Sequence, residues 1–157
     1  FIKFADEDGK GTAVSKECLF KSPFGDNNDF FKSTVLEKLS NEILPEIESE
    51  VGADNVVEFE TDLLSLDGSA KHGKVNSKIS LPTFDFYRKH RAIFEKYKID
   101  GWWWLATPDS TSEYYNDDWV VCVSPFGNFV NDHYYINIGG VRPFCIFLSS
   151  ILVSCEE

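Results

Sequence analysis

The chain has 157 residues, 43% hydrophobic and 15% aromatic, enough for one domain with its own core, and no apolar run is long enough to cross a bilayer as a helix. A formal charge of -11 repels phosphate backbones and anionic headgroups, so direct contact with nucleic acid or a membrane surface is not expected, whereas a neutral or basic partner is accommodated. The cysteines, Cys18, Cys122, Cys145 and Cys155, form no pair or cluster at zinc-ligand spacing, which argues against a structural metal. Two states remain open for them: reduced thiols packed as small hydrophobes, or a bridge between Cys122 and Cys145.

In chain order, the first predicted element is a hairpin around Asp8-Gly9, with strands near Phe1 to Phe4 and Thr12 to Ser15. The segment "STVLEKLSNEILPEIESEVG" then carries Val35, Leu36, Leu39, Ile43, Ile47 and Val51 at helical spacing, with Thr34 and Glu37 as a capping box. Pro45 lacks the N–H that would bond to the Asn41 carbonyl, which predicts a break into two short helices, with Gly52 as the stop. "NVVEFETDLLSL" reads as a strand or extended connection, and "SLDGSAKHGKVNS" as a polar loop. A second helix is predicted from Thr83 to Phe94, carrying Phe84, Tyr87 and Arg91 on one side.

From Trp102 onward, short β-type runs follow one another: "WWWLATP", "DDWVVCVS", "HYYINI", "GGVRPFCIFL" and "SILVS", with a turn at "PFGN". Helices first and strands later predict an α+β fold, two or three helices packed on a twisted antiparallel sheet, as a single domain over 1–157. In the tryptophan triplet a pleated strand sends Trp103 to one face and Trp102 and Trp104 to the other; Trp103 and Trp104 are assigned structural roles. In "GGVRP" the glycines permit close backbone approach, Pro143 limits ladder pairing, and Arg142 offers five donors for tying loop carbonyls or a carboxylate together. Arg142 and Pro143 are therefore read as structural rather than catalytic.

"WWWLATP" at 102–108 followed by "GGVRPFCIF" at 139–147 resembles an uncharacterised bacterial and phage family whose members carry Trp-Trp-Leu-Arg-Ser-Pro and then Gly-Val-Arg-Pro. "VSKECLFKSPFGDNNDFFKSTVLEKLS" and "KISLPTFDFYRKHR" are similar to segments of the same family. The resemblance implies a C-type-lectin-like fold, related to the variable ligand-binding proteins of diversity-generating retroelements and more distantly to formylglycine-generating enzymes. Ala106 and Val35 stand where that family has arginine. No basic segment followed by an apolar one opens the chain, so the cytoplasm or a phage particle is the expected location, with export left open.

Catalytic patterns are missing from the sequence: there is no Gly-x-Ser-x-Gly elbow, phosphate loop or His-Glu-x-x-His helix, and His72, His90 and His133 are scattered. The expectation is a non-enzyme without cofactor. The sugar-selecting carboxylates of calcium-dependent lectins are replaced by "SPFGN" and "VND"; Asp109, Asn116, Asp117, Asp118, Asn128 and Asp132 offer oxygen ligands for a hard cation as a minor alternative to solvated turns.

What remains is the interval from 109 to 138, rich in Tyr, Ser, Asn and Asp, the mixture that suits adaptable contact surfaces. Asp109, Ser110, Thr111, Ser112, Glu113, Tyr114, Tyr115, Asn116, Asp117, Asn128, Asn131, Asp132, His133, Tyr134, Tyr135 and Asn137 are the candidate contact residues. In "NDHYY" each residue differs from its neighbour type by the first base of a codon ending in a pyrimidine, compatible either with targeted diversification or with ordinary turn composition. The function expected is a non-catalytic recognition domain for a protein or surface glycan. Two rivals are an acidic phage inhibitor filling a basic nucleic-acid channel and a formylglycine-generating-type oxidase.

Overall fold

Asp8 and Gly9 both take positive φ, 51° and 73°, in a two-residue turn that places Glu7 opposite Lys10. The hairpin forms as predicted but runs longer, β1 covering Ile2–Glu7 and β2 Lys10–Val14. The computed structural model describes residues 1–113, 117–133 and 138–151, the side chain of His133 excepted. Short β3 (Phe20–Ser22) is followed by a 3-10 turn, Phe30–Lys32, and then by the first helical run.

Ser33, not Thr34, caps that run: its Oγ accepts from the Leu36 amide at 3.0 Å and donates to the Phe30 carbonyl at 2.7 Å. The predicted break at Pro45 does not occur. Helix α1 (Thr34–Lys38) passes through a π-helical turn, Leu39–Ile43, into α2 (Leu44–Val51). The Leu44 amide reaches back to the Leu39 carbonyl, so the turn ahead of Pro45 is widened where its ring would meet the preceding coil, and the helix continues. Gly52, at φ 88°, ends it as expected.

β4 (Val56–Val57) and β5 (Phe59–Asp62) follow. The stretch read as a loop contains a further strand, β6 (Lys74–Ser77), whose Val75 pairs with Thr61 and is buried. After β7 (Ile79–Ser80), the helix predicted from Thr83 is two, α3 (Phe84–Lys89) and α4 (Arg91–Lys96), capped by Thr83 and parted at His90, which is held between the Phe4 and Phe86 rings. β8 (Trp103–Pro108), β9 (Trp119–Val123), β10 (Phe129–His133), β11 (Gly139–Val141) and β12 (Phe144–Leu148) follow among the described residues, with a 3-10 turn, Ser149–Ile151, where a strand was expected to begin.

The single antiparallel sheet of the sequence reading is instead two larger sheets and the β5–β6 hairpin. The first sheet runs β1-β2-β12-β4 with β7 also on β12; the second runs β10-β9-β8-β11-β3 and includes one parallel contact, Gly140 beside Trp103. The Arg142-Pro143 corner hands the chain from the second sheet to the first. Pro143 donates nothing there, but its carbonyl accepts from the Ser15 amide at 2.9 Å.

β8 is buried on both faces. Trp104 and Ala106 pack with Val120, Cys122, Val35, Leu36, Leu39 and Phe147 in one core; Trp103 and Leu105 pack with Val121, Val123, Tyr87, Phe94 and Phe144 in the other. Trp102 is 49% exposed. The positions where the resembled family has arginine, Val35 and Ala106, are fully buried apolar sites. Cys122 and Cys145 are free thiols of the first core, and Cys18 is free and half-buried, so the bridge between Cys122 and Cys145 is not formed.

Trp104 donates its indole N–H to the Ser22 carbonyl at 2.9 Å, and its ring lies where a Cβ on Gly139 would stand at 2.5 Å. Arg142 is fully buried. It donates to the carbonyls of Ser15 at 2.9 Å and Lys16 at 3.4 Å, while its guanidinium lies over Phe94 and Trp103 at 5.1 and 5.3 Å. Burial lowers its pKa to about 10, still far above neutrality, so the group stays charged.

Two changes measure these contacts by thermal and urea unfolding. Gly139→Ala is expected to cost about 1–3 kcal/mol through overpacking against Trp104. Arg142→Ala is expected to cost about 2–4 kcal/mol by opening a cavity and stranding two carbonyls.

Candidate functional site

Residues 63–73, between β5 and β6, fold back on the end of β8. Leu63 and Ser65 point inward and are buried, whereas Leu64 and Leu66 are 40% and 42% exposed, a period of two that continues the β5 pleat. The loop is pinned by the Leu66 amide on the Pro108 carbonyl at 2.9 Å and by Lys71 Nζ on the Thr111 carbonyl at 3.3 Å. Ser110 Oγ donates to Asp67 at 2.6 Å, and Thr111 Oγ1 to Ser69 Oγ at 2.6 Å. Ser110 and Ser65, both on its carboxylate, hold the Asp67 pKa below its ordinary value.

This corrects the sequence expectation for Ser110 and Thr111. Both are buried, 4% and 6% exposed, and their hydroxyls are spent on the loop rather than offered outward. The cause is their burial: a hydroxyl withdrawn from water needs a partner, and the exposed Asp67 carboxylate and half-buried Ser69 hydroxyl supply one each.

A second anchor lies behind them. Buried Asn28 donates from Nδ2 to the carbonyls of Ser110 at 2.6 Å and Trp119 at 3.2 Å, so its Oδ1 is the acceptor toward His72 Nε2 at 2.9 Å. Neutral His72 must therefore carry its proton on Nε2. Its Nδ1 faces the Asp29 carboxylate at 3.9 Å. Burial lowers the His72 pKa, Asp29 opposes the shift, and Lys71 and Lys32 add to it.

The docked loop builds one wall of a cleft on the helix α3 side of β8, β9 and β10. One cavity, about 250 Å³, is lined by Asp62, Leu64, Leu66, Phe84, Asp85 and Arg88. The other, about 290 Å³, is lined by Leu66, Asp109, Val121, Phe129, Val130 and Asn131. Leu66 stands between them, opposite the packed rings of Phe84 and Phe129, whose centroids are 4.5 Å apart. The Arg88 guanidinium covers the Phe84 ring at 5.0 Å.

Of the candidate contact residues, Asp109 and Asn131 meet in this cleft. Glu113, Asp117, Asn128 and Asn131 are exposed, while Asp109, Ser112 and Asp132 are half-buried. Asn128 sits in the turn joining β9 to β10, where its carbonyl accepts from the Ser124 amide at 2.9 Å and its amide donates to Ser124 Oγ at 3.2 Å. Tyr114, Tyr115, Asn116, Tyr134, Tyr135 and Asn137 lie outside the described residues, as does the His133 side chain. Leu64, Leu66, Phe84, Arg88 and Phe129 were not anticipated. "DLLSLDG" held the signal for the leucines, since alternation forces some of its three outward.

Among the described residues, no group of three or more His, Cys, Asp or Glu side chains could hold a metal ion, so Asp109, Asp117, Asp118 and Asp132 are not gathered as cation ligands. None of the helices described is long and apolar enough to cross a membrane. Burial pushes the thiol of Cys18 up to about 11 and those of Cys122 and Cys145 up to about 12, which keeps all three protonated near neutrality.

Because the His72 pKa is lowered on folding, its contribution to stability is complete above the ordinary value of 6.5 and is lost as pH falls below it. His90, also lowered by burial, acts in the same direction. The fall in melting temperature between pH 7.5 and pH 5.5 should accordingly be smaller in His72→Gln than in the native chain, the difference between the two isolating His72. Compared with protein-family models, curated protein sequences and solved structures, the chain matches none.

Proposed function

We propose that this protein is a non-catalytic recognition domain with a C-type-lectin-like fold, whose contact surface is the cleft beside Leu66 together with the β9–β10 ribbon. The observation that carries the proposal is the cleft itself. A scaffold buried on both faces of β8 holds a concave, partly apolar surface with Asp109 and Asn131 at its margin. The lectin-like reading is supported by the pairing of the N-terminal hairpin with the last strand among the described residues, β2 on β12, with both helical runs between them in sequence.

The partner is a protein or a surface glycan. Among the described cysteines, a thiolate-based oxidase activity is disfavoured by the protonated state of half-buried Cys18 and of buried Cys122 and Cys145; Cys155 lies outside the described residues. The charge of -11 keeps the acidic-inhibitor reading alive as a rival, and salt separates the two: charge mimicry weakens steeply with ionic strength, a shaped cleft much less.

The test is a screen of the whole chain against a printed glycan array and a display library of protein domains, repeated with Asn131→Arg. A selected ligand is expected to lose about tenfold in affinity on that change, with the melting temperature unaltered. Ligands indifferent to Asn131→Arg, Asn128→Arg and Glu113→Arg alike would overturn the proposal.

A further inference from the structure

Resting on that reading, we infer that the cleft takes an extended peptide segment in which aliphatic side chains alternate with basic ones. Three features of the cleft lead there. The first is its shape: two cavities of about 250 and 290 Å³ lie on either side of one exposed leucine, Leu66, which divides the surface into neighbouring subsites instead of one deep pocket. An extended chain whose side chains enter both subsites straddles such a divider. A compact ligand fills one subsite and leaves the other wet.

The second is the kind of apolar surface on offer. A sugar ring docks on an open aromatic face, and the cleft offers none from its two phenylalanines. Phe84 is covered by the Arg88 guanidinium, while Phe129 is packed against Phe84 at 4.5 Å and Tyr87 at 5.0 Å. The exposed apolar groups are aliphatic, Leu64 and Leu66, 40% and 42% accessible, and aliphatic side chains bury best against them.

The third is charge. Asp62 and Asp85, both exposed, line the first cavity and outnumber its one cation, Arg88, and the chain as a whole carries -11, so the local field is mildly and the long-range field strongly favourable to a cationic segment. Arg88, on the same rim, adds N–H donors suited to the carbonyls of a peptide backbone, which a simple amine does not have. The polar margin thus fits a backbone with basic side chains, and the divided floor fits aliphatic residues between them.

The experiment is calorimetric titration of the whole chain, at physiological salt, with a capped peptide of three Leu-Lys repeats. Saturable one-to-one binding is expected, about tenfold weaker for Leu66→Arg and about fivefold weaker for the Asp62→Asn, Asp85→Asn pair. Leu66→Val is expected to bind like the native chain, and all variants are checked for unchanged melting. Three Leu-Glu repeats should not bind, and three Ser-Lys repeats should bind at least about tenfold more weakly. The inference is overturned by absence of binding, by equal binding of the Ser-Lys peptide, which would mean general attraction to an acidic chain, or by indifference to Leu66→Arg. Should the Leu-Lys peptide fail while an array or display ligand responds to Asn131→Arg, the peptide assignment falls and the recognition reading stands; failure of both removes both.

Discussion

Everything in this molecule is arranged around a strand that has no outside. Adjacent residues of a pleated strand point to opposite faces, so Trp103 and Trp104 cannot share a core, and each needs a complete apolar shell of its own. The helical run α1–α2 covers the Trp104 side and helices α3 and α4 the Trp103 side. The neighbours of β8 are fixed by the same demand. Trp104 leaves no room for a side chain at Gly139, and Trp103 forms part of the aromatic seat of Arg142, whose donors hold Ser15 and Lys16. Removal of one ring is therefore felt in the packing of the sheets and in the corner that joins them.

The parts of the fold that were legible in the sequence are those set by local rules. Asp8-Gly9 specifies a hairpin turn, Gly52 a helix end, and the β-branched and aromatic runs "WWWLATP", "DDWVVCVS" and "GGVRPFCIFL" their strands. The division into two sheets was not legible, because the order of strands depends on contacts between residues far apart, such as Gly11 with Phe147, that no local pattern announces. β6 was hidden for a related reason: "KVNS" becomes a strand only because β5 lies alongside it. Pro45 was misleading because the rule that proline ends a helix omits the alternative of a wider turn before it.

The candidate surface was legible in composition but not in assignment. A run rich in Ser, Thr, Asn and Asp suits both binding and loop mortar, and only the fold decides between them residue by residue. Ser110 and Thr111 went to mortar because Asp67 and Ser69 arrived opposite them; Asp109 and Asn131 remained at a cleft because Leu66 and Phe129 arrived beside them. The aliphatic half of that cleft comes from a segment more than forty residues earlier, and composition at 109–138 contains no trace of it.

The widened turn at Leu39–Ile43 has one more effect. Val35, Leu39, Ile43, Ile47 and Val51 recur every fourth position, and in an unbroken α-helix such a series winds around the cylinder by about 40° per step, carrying its far end away from the surface it began on. A coil that closes one residue later takes up part of that drift, and all five side chains contribute to the same core. The proline that looked like an interruption thus sits beside the device that keeps a long hydrophobic seam straight.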